Sequence, residues 1–545
     1  MVEGGACIRT WHDSTVVGHG AASRLTGGSR RDDSVAAMEI REVAVVGLGT
    51  MGAGIAEVFA RAGIAVVAIE ADPEALRQGL GTLDASLSRA VSRGRLGASE
   101  QAEIRARVRP AAAFSEAAAV DLAIEAVPER LEIKREVFAE LDRVCGSEAI
   151  LATNTSSLSV TSVAAGTKHP GRVVGMHFFN PAPVMGLVEV VSTVLSDESV
   201  PAAVAALARQ LGKVPVAVGD RAGFVANALL LPYLNHAMAL LESGYASAAD
   251  IDKAAVQGIG LPMGPLALLD LIGLDTSLSI LEVLHVEFGE PRYCPAPLLR
   301  RLVAARRTGR KAGRGIYEYA DGRIVDGVAE PAAAGAAAPD MVTVIGRGDE
   351  QESDLVASLA SAGLCVTRNP AHASDLVVIV ATQGQPVLPT ALAAGRADQA
   401  VGAHFPGGVR DGSLAELVRT SLTTDAAMAA AHALAARLGV SVVQAPDRPG
   451  FLVGALLYPH LADAVRMAQQ GYADPTDIDT AMTLGCGYPR GPFQLIDAMG
   501  AADVLAGLKA MNAAYGYPAF APPPLLAEHA AAGIDFAVAR RPAAY

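Results

Sequence analysis

The stretch REVAVVGLGTMGAGIAEVFARAGIAVVAIEAD, residues 41–72, decides the fold. A run of β-branched and small apolar residues reads as a buried strand. Apolar residues at helical spacing follow from Met51, and a second strand-like run closes at Glu70. Strand, helix, strand is a βαβ unit. Gly47, Gly49 and Gly52 fall between the first strand and the helix, where they permit a tight turn and let a pyrophosphate approach the positive end of the helix. Glycine turns are common, so the spacing alone is weak evidence. Glu70, about 20 residues on, strengthens it, because a carboxylate at the end of the second strand accepts hydrogen bonds from a ribose 2′-hydroxyl and repels a 2′-phosphate. NAD is therefore expected as cofactor in preference to NADP.

Working outward, helical segments at 72–95 and 99–107 precede a strand VDLAIEAV (120–127), a helix at 129–144 and a strand AILATNT (149–155). Alternation of this kind implies a doubly wound, mostly parallel sheet. After GDRAGF (219–224) helical runs replace the strands until about Tyr319, and AEPAAAGAAAP (329–339) has linker composition. Residues 220–273 then align without a gap on 447–500, an offset of 227 (447 minus 220). Gly47 lies 130 residues before His177, but its counterpart Gly346 lies only 58 before His404. The second half therefore reads as a duplicate that kept its helical part, lost most of the middle of its dinucleotide domain and lost much of its sheet. The expected fold is an α/β Rossmann domain followed by an all-α domain, then a degenerate Rossmann remnant and a second all-α domain. The expected boundaries are a disordered extension (1–37), the NAD-binding domain (38–218), an all-helical domain (219–328), the linker (329–339), the shortened Rossmann-like segment (340–446) and the second helical domain (447–545).

Composition sets limits on function. A chain of 545 residues exceeds one hydrophobic core. A net charge of −13 and a pI near 5.4 argue against binding nucleic acid. Apolar runs are interrupted by charges well before the roughly 20 residues of a membrane span. The first 37 residues lack the apolar stretch of a secretory signal. Five scattered cysteines, with no CxxC pair, fit a reducing, cytoplasmic setting without disulfides and give no metal site.

VVGMHFFNPAPVMGLVEVV (173–191) places His177 in an apolar strand with Glu189 twelve residues on, and AVGAHFPGGVRDGSLAELV (400–418) repeats the pair as His404 and Glu416. A lone histidine in such a run is usually a packed core residue. Paired with a carboxylate it can take the proton of an alcohol as hydride leaves the carbon, the carboxylate fixing the ring tautomer. Glu189 reads equally well as a solvated strand-edge carboxylate.

GLGTMGAGIA, EAVPE, NTSSL, GMHFFNPAPVMGLVEVV, GFVANALLLPYLNHA and GLPMGPLALLDLIG, in that order from about residue 40 to 320, resemble L-3-hydroxyacyl-CoA dehydrogenases. The second half resembles the extra module of their long bacterial forms, some of which act on 3-hydroxybutyryl-CoA or 3-hydroxyadipyl-CoA. The resemblance implies NAD-dependent oxidation of (S)-3-hydroxyacyl-CoA to the 3-ketoacyl-CoA, the chemistry of fatty-acid β-oxidation. It implies His177 as general base, Glu189 as its orienter, and Ser156 and Asn227 as hydrogen-bond donors to the substrate oxygen. It adds Glu70, Glu129, Lys134, Asn180 and Lys311 to the cofactor surface, and Ser86 and Arg93 to that for coenzyme A. Read without it, Ser156 is a turn residue and Asn227 a helix-start residue.

Under the same offset Ser156 becomes Gln383, Asn180 becomes Gly407 and Asn227 becomes Gly454, while in VIGRGDEQ the third glycine of the turn has become Gln351. The second pair is therefore expected to be a relic whose module serves structure. The helical domains of short family members pair between chains, so the resemblance implies either a homodimer or an intrachain pseudo-dimer. Two alternatives stand beside the acyl-CoA reading: a related dehydrogenase for a free hydroxy acid or a carnitine-like substrate, and a catalytically silent NAD-binding scaffold. Sensitivity of CoA-ester turnover to Arg93→Glu separates the first. The intact Ser156, His177, Glu189 and Asn227 set argues against the second.

Overall fold

The computed structural model describes residues 39–325, 338–369, 376–382, 384–410 and 412–537. The expected extension at 1–37, most of the linker and Gln383 lie outside them. The opening βαβ unit forms as read: β1 (Glu42–Val46), α1 (Thr50–Arg61) and β2 (Ala65–Ile69). Then come α2 (Pro73–Ser92), α3 (Ala98–Ala106), β3 (Val108–Ala111), β4 (Leu122–Glu125), α4 (Leu131–Val144), β5 (Ile150–Thr153), α5 (Val160–Ala164), β6 (Val173–Phe178), β7 (Leu187–Ser192), α6 (Ser199–Gln210) and β8 (Val214–Gly219). The strands form one eight-stranded sheet in the order β3-β2-β1-β4-β5-β6-β7-β8. Every neighbouring pair is parallel except β6 and β7, which the short loop after His177 joins antiparallel.

A helical module follows: α7 (Ala226–Glu242), α8 (Ala248–Lys253) continuing as a π-helical turn to Ile259, α9 (Pro265–Ile272), α10 (Leu274–Phe288) and α11 (Pro297–Ala304). A small hairpin, β9 (Tyr319–Ala320) with β10 (Arg323–Ile324), closes it. Among the described residues no helix is long and apolar enough to cross a membrane.

The second half runs β11 (Met341–Ile345), α12 (Glu350–Ser361), β12 (Cys365–Thr367), β13 (Leu376–Val380), α13 (Leu388–Ala393), β14 (Ala400–His404), β15 (Leu414–Arg419), α14 (Asp425–Arg437) and β16 (Ser441–Pro446). Its sheet order is β12-β11-β13-β14-β15-β16, again with one antiparallel pair, β14 with β15. The expectation that this half lost much of its sheet needs correcting. Six strands remain of a possible eight. Strands here are only three to six residues long, so a large deletion falls mostly on the helices between them. Among the described residues the edge strand, one central strand and the counterparts of α2 to α4 are absent.

The last helices are α15 (Val453–Gln469), α16 (Pro475–Cys486), α17 (Pro492–Met499), α18 (Ala501–Tyr515) and α19 (Pro524–Ala532). Each of α15, α17, α18 and α19 begins 227 residues after α7, α9, α10 and α11 respectively (453 minus 226 for the first). α7 packs directly on α15, and Tyr233 on α7 lies 5.1 Å, ring to ring, from its own counterpart His460 on α15. Equivalent positions touching one another mark a local twofold axis.

The modules also reach across to each other's sheets. α16 lies against β7 and β8, while α8 lies against β16 and its π-helical continuation against β15. Gly485 passes so close to Leu187 and Phe179 that a Cβ there would sit 2.7 Å and 3.2 Å from their side chains. Its counterpart Gly258 meets Val453 and Leu414 in the same way, at 2.5 Å and 3.1 Å. One face of each sheet and both helical modules share a single apolar core, while the far face of each sheet is covered by its own helices.

Candidate active site

Parallel pairing brings the functional loops to one edge. Val46 pairs with both Ile69 and Glu125, Glu125 with Thr153, and Thr153 with Gly175. The glycine turn, Glu70, the loop after β5 and His177 therefore line up along the carboxyl ends of adjacent strands, where ligands of open α/β sheets bind.

The glycine turn fits a dinucleotide. Gly47 has φ +89°, and a Cβ on Gly52 would lie 1.8 Å from the Gly47 carbonyl, so helix and strand could not close on one another around a larger residue. No side chain caps α1 and no acid stands in its first turn, which leaves its positive end open to an anion. Glu70 is half-buried and accepts from the backbone N–H of Leu48 (3.2 Å) and Asp72 (3.3 Å). In the second sheet the same turn is filled from within. Glu352 accepts from the Gly348 N–H, and Glu350 and Glu352 place two acids in the first turn of α12. That carboxylate would repel a phosphate.

His177 and Glu189 are register partners across β6 and β7, with Nδ1 2.8 Å from Glu189 Oε2. Both side chains are buried, which removes the solvated strand-edge reading of Glu189. Its other oxygen accepts from the Val225 and Ala226 N–H groups, each at 3.0 Å. Phe224, at φ +46°, makes the left-handed turn that presents those amides. The Nδ1 proton committed to Glu189 leaves Nε2 as the nitrogen able to accept a proton. The rings of Phe179 and Phe224 lie 4.5 and 5.7 Å from the imidazole.

Asn227 follows those two amides directly in the first turn of α7, half-buried beside the dyad. Ser156 lies in the loop after β5. Glu129 ties that loop down, accepting from Thr155 Oγ1 (2.6 Å), from the Ser156 and Ser157 N–H (both 3.1 Å) and from Ser157 Oγ (3.0 Å). Burial pushes the Glu129 carboxyl up, but Lys134 and these donors outweigh it and hold the group below its ordinary value. Lys134 is itself buried, 2.7 Å from Glu125 and 3.1 Å from Glu129.

Asn180 is exposed just past His177. Ser86 lies on α2 and is half-buried, and Arg93 is the exposed residue that ends the helix, seven positions on. Lys311 lies in the helical module, paired to Asp275 at 2.6 Å. Neither α2 pair member nor Lys311 touches the dyad. Sequence reading passed over Glu125, which is fully buried and accepts from Lys134, Thr153 Oγ1 and the Val127 N–H. It also passed over Asn154, whose Oδ1 accepts from the Phe178 N–H, and over α16, whose half-buried Cys486 thiol is pushed up by its enclosure and by the nearby Glu189 charge.

The second pair has the same geometry: His404 Nδ1 to Glu416 Oε2 at 2.6 Å, with Glu416 Oε1 accepting from Leu452 and Val453 N–H. Gly454 stands where Asn227 would be and Gly407 where Asn180 would be.

These features have counterparts of known kind. Residues 42–221 match the NAD-binding domain of 3-hydroxyacyl-CoA dehydrogenases, and the C-terminal domain of the same family matches twice, at 223–319 and 450–534. The chain is 35% identical over 495 residues to a 3-hydroxyadipyl-CoA dehydrogenase of Escherichia coli K12, covering 90% of this chain and 98% of the relative. A 3-hydroxybutyryl-CoA dehydrogenase of Mycobacterium tuberculosis is 47% identical over 282 residues, 51% of this chain and 99% of the relative. The crystal structure of a 3-hydroxybutyryl-CoA dehydrogenase from E. coli K12 superposes with a TM-score of 0.76 at 33% identity, covering 91% of this chain and 99% of that one. The chain belongs to the 3-hydroxyacyl-CoA dehydrogenase family, and its first half carries that family's NAD-binding domain.

Proposed function

We propose that this chain oxidises a short (S)-3-hydroxyacyl-CoA, of the 3-hydroxybutyryl or 3-hydroxyadipyl kind, at one site in its first half. The observation that carries this reading is the buried His177–Glu189 dyad beside an open glycine turn, set against a second dyad whose glycine turn is filled by Glu352. NAD, when bound, supplies the hydride acceptor, held by Gly47, Gly49, Gly52 and Glu70 with Glu129, Lys134, Asn180 and Lys311 around it. His177 Nε2 takes the hydroxyl proton, while Glu189 holds the ring and stabilises the imidazolium. Ser156 and Asn227 donate to the substrate oxygen, and Ser86 and Arg93 bind coenzyme A.

Glu129 and Lys134 act at least in part by fixing the 154–157 loop, since each is engaged within the chain. His404 and Glu416 persist because two helix-start amides need the carboxylate, whether or not the site turns over. The duplicated module stands in for a partner subunit, so that the chain is a pseudo-dimer of two unequal halves, divided at the boundaries read from the sequence. The four cysteines among the described residues are dispersed and free, which suits a cytoplasmic setting.

The substrate class is tested by comparing acetoacetyl-CoA with free acetoacetate in NADH-dependent reduction. Turnover of the ester alone, weakened through KM by Arg93→Glu, is expected. Equal turnover of the free acid, or no effect of Arg93→Glu, contradicts the assignment of coenzyme A to α2.

A further inference from the structure

The local twofold axis between α7 and α15 relates two places that are built alike and filled differently. On one side Arg221, Arg292, Phe288, Tyr293 and Tyr472 leave a void of only about 10 Å³. The Arg221 guanidinium is 4.9 Å from the ring centres of both Phe288 and Tyr472, and that of Arg292 lies 4.8 Å from Tyr293. The 227-residue offset converts these positions to Arg448, Ala519, Tyr515, Phe520 and Tyr245. They line a cavity of about 840 Å³. None of its lining residues belongs to the glycine turn, the 154–157 loop or the His177 dyad.

The difference is confined to particular side chains. Every ring position keeps an aromatic residue, and Tyr517 joins them where the filled side has Glu290. The rings of Tyr515, Tyr517 and Phe520 lie 5.2 to 6.0 Å apart and form a continuous wall. Fillers are lost instead: Ala519 replaces Arg292, Ser243 replaces Gln470 and Leu240 replaces Met467. Arg448, the counterpart of the sandwiched Arg221, is exposed at the cavity and makes no side-chain hydrogen bond, ion pair or ring contact among the described residues. Arg292 and Arg466, which also face the cavity, are both paired to Asp463. Among the cavity's three arginines Arg448 is thus the one without an ion-pair partner among the described residues, Arg292 also being paired to Glu290 at the cavity wall.

We propose that this cavity is a second ligand site, for a planar apolar molecule bearing one anionic group, an aromatic carboxylate. Its ring packs on the wall that Tyr515, Tyr517 and Phe520 form and gains stacking contacts there. Its carboxylate takes paired N–H donors from Arg448, a geometry that a guanidinium supplies and a point charge does not. The volume falls in the range of about 300–1,000 Å³ typical of small-molecule sites.

The full-length chain, with excess NAD to block the nucleotide site, is titrated with the fluorescent anion anilinonaphthalene sulfonate and then with competing naphthoate or decanoate. Saturable binding of the dye is expected, with displacement by naphthoate about tenfold or more stronger than by decanoate. Ala519→Arg, which restores the side chain of the filled side, and Arg448→Ala should each weaken naphthoate by about tenfold or more. Ser243→Gln should weaken it in the same direction. NADH-dependent turnover of acetoacetyl-CoA is retained in all three and shows that they are folded. Absence of saturable dye binding, displacement by acetoacetyl-CoA, equal competition by decanoate, or unchanged naphthoate affinity in both Ala519→Arg and Arg448→Ala overturns the proposal.

Discussion

At the scale of single residues, Glu189 does two jobs with its two oxygens, one toward His177 and one toward the first amides of α7. Glu189→Gln keeps an acceptor for the amides but removes the charge that stabilises an imidazolium. We expect kcat to fall by about 10²-fold or more, with the melting temperature little changed. Glu189→Ala leaves two buried amides unmet and should cost on the order of 2 kcal/mol or more. Steady-state kinetics and thermal unfolding of the two variants separate the roles, and equal activity of Glu189→Gln and wild type would remove the charge from the account. The dyad was legible because strand pairing at a fixed spacing leaves a repeat in the sequence. Glu125 and Asn154 were not, because Thr153, which donates to Glu125, and Phe178, which donates to Asn154, lie on other strands 28 and 24 residues away, and no local spacing encodes such a bond.

At the scale of elements, the crossing of α16 onto β7 gives the duplicate a hold on the first dyad through Phe179. Gly485→Val should shift Phe179 against His177 and lower kcat. Gly258→Val makes the mirror-image clash beside the second dyad and should leave kcat within about twofold, although overpacking costs each variant about 1–3 kcal/mol. Equal kinetic effects would show that the contact with Phe179 is immaterial.

Two aspartates, Asp252 half-buried and Asp479 buried, recur in the same way. Asp252 accepts from the Leu266 and Ala267 N–H at the start of α9, and its counterpart Asp479 from Phe493 and Gln494 at the start of α17. Burial pushes each carboxyl up to about 6, against 3.8 for the free side chain. The folded chain therefore holds these protons more tightly than the unfolded one, and stability is lost as pH rises from about 4 through about 6. The double variant Asp252→Asn with Asp479→Asn carries no charge to bury. Its melting temperature relative to wild type should climb across that window and level off above it; a flat difference contradicts the buried-charge account. The strands and helices of the first sheet followed the sequence periodicity to within a few residues. The second sheet did not, since the deletion fell on helices and the retained strands are short and apolar, with little periodicity of their own.

At the scale of the whole molecule, two halves related by the 227-residue offset share one core and are built differently at their sites. One keeps an open nucleotide turn, the other closes its turn with Glu352 and opens a cavity at Tyr515 and Ala519. The offset of 227 residues was readable in the sequence; the reciprocal embrace of α8 and α16 was not, because it depends on which sheet each module covers. The central claim is that two dyads of the same geometry yield one working site. It is tested by NADH-dependent reduction of acetoacetyl-CoA in wild type, His177→Ala and His404→Ala. The account predicts a loss of about 10²–10⁴-fold in His177→Ala and activity within about twofold of wild type in His404→Ala. Substantial activity in His177→Ala, or a comparable loss in His404→Ala, would contradict it.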